Sequence, residues 1–92
     1  MELKRVADGV HALGEDGTRI GYVSCSPIGE RAWSIDHTVV SPDYQGQGLA
    51  AKLIRDLVEM ARDEGIKLRP VCSYAVAQFE RHKEYADVLL SH

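Results

Sequence analysis

A chain of 92 residues is long enough for one hydrophobic core and too short for two lobes around a deep cleft, so a single domain over residues 1–92 is expected. With 45% apolar and 27% charged residues and a net charge of −3, it has the makeup of a soluble globular domain, and its scattered basic residues argue against nucleic acid as a partner. No apolar run reaches the length of a membrane span. The opening Met1-Glu2-Leu3-Lys4-Arg5 lacks the apolar core of a signal peptide. The two cysteines, Cys25 and Cys72, provide neither a disulfide framework nor metal-site spacing, so the expectation is a cytoplasmic protein with free thiols and no bound metal.

In chain order, Val10 to Leu13 is a short strand, closed by Gly14-Glu15-Asp16-Gly17, in which Asp-Gly is a hairpin signal. Arg19 to Ser26 is a second strand, broken by Pro27-Ile28-Gly29. Arg31 to Val40 is a third. Strict alternation puts Trp33, Ile35, His37 and Val39 on one face, and Ala32, Ser34, Asp36, Thr38 and Val40 on the other. Together they read as an antiparallel meander. Leu49, Ala50, Leu53, Ile54, Leu57, Val58 and Ala61 then recur at three- and four-residue spacing, the stripe of an amphipathic helix, with Gly65 as its stop. Ile66 to Cys72 is a fourth strand, and Pro70 places it at an edge or a bend. Strand, helix and strand in succession predict a right-handed crossover between parallel strands. A helical pattern starts at Ser73, and a last short helix is expected to carry Val88-Leu89-Leu90. The fold class is α+β, a mostly antiparallel sheet with helices packed on it.

Between the third strand and the long helix lies Ser41-Pro42-Asp43-Tyr44-Gln45-Gly46-Gln47-Gly48. A Gly-rich turn at a helix N-terminus presents free N–H groups and a positive dipole end to an anion. The P-loop pattern is absent. The dinucleotide pattern G-x-G-x-x-[GA] is literally met by Gly46-Gln47-Gly48-Leu49-Ala50-Ala51, yet its context is wrong. A polar segment separates strand from glycines, the strands before it form a meander, and no acidic residue ends the next strand. On the loop alone, a pyrophosphate cradle and a helix start without a ligand both stand.

Gln45-Gly46-Gln47-Gly48-Leu49-Ala50 resembles the [QR]-x-x-G-x-[GA] loop of acetyl-CoA-dependent N-acetyltransferases. With Asp36-His37-Thr38-Val39-Val40, Pro70-Val71-Cys72-Ser73-Tyr74 and Arg81-His82-Lys83-Glu84-Tyr85, the chain from about Val10 to Leu90 is similar to the very small GCN5-related acetyltransferases (GNAT) of the YjdJ type. The resemblance implies a GNAT-like fold with a parallel, splayed strand pair around the acetyl-CoA loop. It implies acetyl-CoA as co-substrate and a primary amine as acceptor, either a small molecule or a protein lysine or N-terminus. Gln45, Gly46, Gln47, Gly48, Leu49 and Ala50 would hold the pyrophosphate, and N–H groups near Val39 and Val40 would polarise the thioester carbonyl.

By the same resemblance Cys72 lies near the thioester, where it could accept acetyl and pass it on. The competing reading is a small buried apolar residue. His37 is a candidate base, against a strand histidine bonded to a neighbour. Tyr74 is a candidate to protonate the leaving thiolate, although a packing role is preferred. Asp36 is expected on the face opposite His37, as a solvated or pairing carboxylate. Arg81, His82 and Lys83 form a basic cluster that either meets the 3′-phosphate of CoA or is a solvated face. The leading expectation is an N-acetyltransferase that proceeds by direct attack or through S-acetyl-Cys72. The alternative is a non-catalytic acyl-CoA-binding or sensing module, with a purely structural protein third.

Overall fold

The computed structural model describes residues 1–90. Five strands form one sheet in the order of the sequence: β1 (Glu2–Val6), β2 (Gly9–Leu13), β3 (Arg19–Gly29), β4 (Ala32–Val40) and β5 (Lys67–Pro70). The first four are antiparallel neighbours, and β5 runs parallel to β4 after the crossover helix α1 (Leu49–Glu64). Helix α2 (Ser73–Arg81) follows β5, and a 3₁₀ segment, Lys83–Val88, follows α2. No helix among the described residues is long and apolar enough to cross a membrane.

Helix α1 lies against the sheet on the stripe read from the sequence: Leu49, Leu53, Ile54, Leu57, Val58 and Ala61 are buried, and Met60 joins them. Fully burying an aliphatic side chain of this size contributes about 1.5–3 kcal/mol, so this face holds the crossover in place. The helix comes close because Gly21 of β3 has no side chain. A Cβ there would lie 3.0 Å from the Val39 carbonyl oxygen and 3.4 Å from both Leu49 and Leu53. At the far end Gly65 takes a left-handed conformation, and the Ile66 N–H donates to the Ala61 carbonyl oxygen at 2.9 Å, which closes the helix and starts the path into β5. Phe79 and Tyr85 meet edge to face at 5.4 Å and add the C-terminal segments to the same core cluster.

Four expectations are corrected. The meander has an additional strand, β1, because a short charged edge strand shows little alternation. Strand β3 does not break at Pro27 but continues to Gly29, with Pro27 opposite Trp33. The proline is tolerated because β2 pairs with β3 only as far as Ser24, so no ladder partner awaits an N–H on that side. The last segment is not a helix over Val88-Leu89-Leu90. Its 3₁₀ turns end at Val88, and Leu89 then pairs in parallel with Leu68 along the outer edge of β5.

The fourth correction concerns β4. Ser24 pairs with His37 and Cys25 with Ile35, so Asp36 is an extra residue, a β-bulge. Alternation therefore slips by one. Ile35 and Thr38, three residues apart, both face α1, in rows with the buried Cys25 and Val23. Asp36 and His37, which alternation would separate, both face away from α1: Asp36 bonds to Ser26 and Ser34, and His37 sits in the row of Ser24. The bulge is held by its own side chain. Asp36 accepts the Ser26 hydroxyl at 2.5 Å and the Ser34 hydroxyl at 2.7 Å, which lowers its pKa from the usual carboxylate value.

Leu57→Ala should destabilise the fold by about 2–5 kcal/mol through the cavity it leaves against the sheet; denaturant titration measures it. The Asp36 network should be visible in the pH dependence of stability. A lowered folded-state pKa gives stability that is present above the unfolded-state pKa, about pH 4, and is lost as pH falls through the folded value. Ser26→Ala/Ser34→Ala should therefore be less stable than wild type at neutral pH, and the gap should narrow in acid. An equal gap at pH 7 and pH 2.5 would refute this.

Candidate functional site

The segment between β4 and α1 is shaped by its own hydrogen bonds. Pro42–Tyr44 forms one 3₁₀ turn, and the Gln45 side-chain amide donates back to the Val40 carbonyl oxygen at 3.0 Å. Gly46 and Gly48 then adopt φ of 80° and 77°, the left-handed region in which a Cβ is disfavoured. Gly48 is the N-cap of α1 and has no side chain with which to cap it. As a result the N–H groups from Gly46 to Ala50 have no backbone acceptor among the described residues. They stand at the positive end of a 16-residue helix, an arrangement suited to a phosphate.

This row opens onto a cleft of about 270 Å³ lined by Val40, Tyr44, Gln45, Gly46, Gly48, Leu49, Ala50 and Tyr74. Gln47, between the two glycines, is exposed and outside the lining. Of the expected pair Val39 and Val40, only Val40 lines the cleft. The Ser41 N–H donates to the Ile20 carbonyl oxygen at 2.8 Å, which makes Val40 and Gly21 a non-hydrogen-bonded pair. The Val39 N–H is then directed at β3, and the Val40 N–H is directed toward β5.

Past Ile35, β4 has no strand partner on that side among the described residues. The last β4–β5 pair is Ile35 with Pro70, and the N–H groups of Val71 and Cys72 converge on the Ile35 carbonyl oxygen, both at 3.1 Å. From there the chain turns away into α2, leaving a gap between the strands. Cys72 is the N-cap of α2, and its sulfur accepts the Ala75 N–H at 3.4 Å. Thr38 Oγ1 lies 3.4 Å from Cys72 Sγ across the gap. Negative charge on this sulfur would meet a helix N-terminus and a hydroxyl. Cys25 offers a contrast: burial, reinforced by Asp36 and Asp8, pushes its thiol up to about 12, so it stays protonated. The Tyr74 phenol is also raised by burial, against a smaller opposing effect of Arg81, and remains a proton donor at neutral pH.

The candidates thus fall on two sides of the sheet. Cys72, Tyr74, Val40 and the loop share the helix side, and the structure adds Thr38 to them. His37 is exposed on the other side together with Asp36, and the hydrogen-bond partners of Cys72 Sγ among the described residues are Thr38 and the Ala75 N–H. Thr38 was missed because alternation assigned it away from Ile35, and no glycine or proline marks the bulge. Arg81 is the last residue of α2, about 13 Å of helix from Cys72, and His82 and Lys83 follow it; His82 contacts Glu84 at 3.2 Å.

Among solved structures, a GCN5-like protein of Staphylococcus aureus is 28% identical and superposes with a TM-score of 0.77, covering 99% of this chain and 89% of its own. The GNAT family N-acetyltransferase YhbS of Escherichia coli, solved in complex with CoA, is 25% identical with a TM-score of 0.67, over 75% of this chain and 42% of that one. A mouse protein, Probable N-acetyltransferase family 8 member 5, is 28% identical over an alignment of 72 residues that covers 67% of this chain and 32% of the mouse protein. The chain therefore spans about a third of the curated relative it matches. The family described as GCN5-related N-acetyl-transferase matches residues 10–88, nearly the whole sequence. The chain therefore belongs to the GCN5-related N-acetyltransferase family.

Proposed function

We propose that the protein transfers acetyl from acetyl-CoA to a primary amine, in a cytoplasm that keeps its thiols free. The observation that carries this reading is a juxtaposition. The unpartnered N–H row from Gly46 to Ala50 opens into the same cleft that runs past Val40 and Tyr74 toward the gap holding Thr38 and Cys72. In this reading the N–H row takes the pyrophosphate, the pantetheine arm follows the cleft, and the thioester lies in the gap. The Val40 N–H faces the thioester carbonyl and stabilises charge that develops on its oxygen.

Transfer then runs in two steps. Cys72 Sγ attacks the carbonyl carbon; a new S–C bond forms as the bond to the CoA sulfur breaks. The departing sulfur takes a proton from Tyr74 or solvent, and the Cys72 proton restores that donor, giving S-acetyl-Cys72 and CoA thiol. The amine next attacks the acetyl-cysteine carbonyl and the bond to Cys72 Sγ breaks; the amine's proton passes through His37 to solvent, and the Cys72 thiolate regains a proton from Tyr74 or solvent. His37 serves the amine and not the thiol, since the two side chains project from opposite faces. Direct attack on acetyl-CoA is the rival route and uses the same cradle without Cys72.

A second reading, an acyl-CoA-binding module without turnover, is favoured by one observation: among the described residues, His37 is exposed and no helix packs on the sheet face that bears it. Calorimetry with CoA and thiol release over an amine panel separate the two. Binding without release above the amine-free rate would establish the module.

Gly48→Val puts a Cβ at φ near 77° and fills the cradle. It should weaken CoA binding at least tenfold, about 1.4 kcal/mol, in calorimetry. Intact-protein mass after incubation with acetyl-CoA should show one acetyl adduct on the wild type. Cys72→Ser should abolish that adduct and slow amine acetylation by tenfold or more. Unchanged amine acetylation in Cys72→Ser would establish direct attack.

A further inference from the structure

We propose that Asp36, fixed by Ser26 and Ser34 on the open face of the sheet, is the receptor for a primary ammonium group, the charged form in which the acceptor arrives. The inference rests on the acetyl-transfer reading for its purpose, though not for its geometry. The bulge places Asp36 one residue beyond the last β4–β5 pair, at the mouth of the strand gap and on the side away from α1. Both carboxylate oxygens are already engaged by hydroxyl donors, Ser26 at 2.5 Å and Ser34 at 2.7 Å. Such charge-assisted bonds fix the carboxylate plane and leave its remaining lone pairs for a further donor.

The carboxylate has an anion's environment but, among the described residues, no salt bridge. Its pKa is lowered, so it is ionised at neutral pH. The ion pairs of the described residues join Arg5 to Asp56 and Asp63, Arg62 to Glu59 and Asp87, and His82 to Glu84, and none of them uses Asp36. Arg69, on β5 in the row of Ser34, shares the open face without pairing with Asp36. His37, Ser24, His11 and Lys4 are polar groups of the neighbouring rows on this side. Two residues along the strands, the half-exposed Val39 lies beside Tyr22, whose ring carries the Arg19 guanidinium at 4.4 Å.

A primary amine is an ammonium ion at neutral pH, with a pKa near that of lysine, about 10.4. It cannot attack a carbonyl until it loses a proton. The bulge brings together the two functions this requires. Asp36 captures and orients the ammonium, and His37, adjacent on the same face, takes the proton as the nitrogen moves into the gap. The acceptor class is then a primary ammonium on an aliphatic chain, its chain lying over the half-exposed Val39. Neutral alcohols and aromatic amines, which carry no charge at this pH, are excluded.

The test is an amide-shift titration of the CoA-loaded full chain with butylamine, 1,4-diaminobutane and, as the neutral control, butanol. The two amines should shift the amides of Ser26, Ser34, Asp36 and His37, and butanol should not. Asp36→Asn should weaken amine binding at least tenfold and leave CoA affinity unchanged, because CoA is held on the other face. In turnover it should raise the KM for the amine with kcat within a few-fold, and Ser26→Ala/Ser34→Ala should fall between. If Asp36→Asn does not fold, as its amide spectrum will show, the double serine variant carries the test. Amine shifts elsewhere, or amine binding indifferent to these variants, would overturn the receptor. Amine binding at Asp36 with no thiol release from any amine would instead sink acetyl transfer and leave the receptor standing.

Discussion

The parting of β4 from β5 is the constraint on which the rest of this small protein depends. Two parallel strands that pair over four residues and then separate leave carbonyl and N–H groups without partners. The chain solves this locally. The Ile35 carbonyl oxygen takes both the Val71 and Cys72 N–H groups, and the next residue, Asp36, bulges out and is tied down by two serines. The gap is therefore a built feature. Thr38 and Cys72 face each other across it on one side of the sheet, and Asp36 and His37 flank it on the other.

Helix α1 sets where the gap can be reached. Its buried face fixes its axis against β2 and β3, with Gly21 permitting the close approach, so the N-terminus has no freedom to wander from the end of β4. The same burial that stabilises the domain thus aims the unpartnered N–H groups. The other end is tied as firmly. Arg62 in the last turn bonds to Asp87 and to the Glu84 carbonyl oxygen, joining the C-terminal 3₁₀ segment to the helix. These ion pairs are exposed and contribute little energy individually; their role is to keep that segment where Leu89 and Leu90 can cover the free edge of β5.

In the proposed reading the sheet itself divides the work. The helix side holds the donor, and the bare side receives the acceptor on a carboxylate and an imidazole. A site so open suits acceptors presented on something larger as well as small amines, and it places selectivity in charge more than in shape.

The α1 stripe, the glycine loop, the edge position of Pro70 and the N-terminus of α2 at Ser73 were all legible in the sequence. They rest on local physics: side-chain period, glycine's access to positive φ, proline's missing N–H and the capping of a helix start. Family membership was legible for the same reason, since its signature is a local loop. The faces of β4 were not. A bulge arises from the pairing of two strands and the need to end a third, and nothing in Ile35-Asp36-His37-Thr38 marks it. That one extra residue moved Thr38 to the cysteine and put Asp36 beside His37, reversing the alternation read from the sequence. The sequence by itself determined α1, the start of α2 and the glycine loop between β4 and α1, because those are properties of a few neighbouring residues. Only the tertiary structure decided which side chains share a face, because register across strands is a property of the whole sheet.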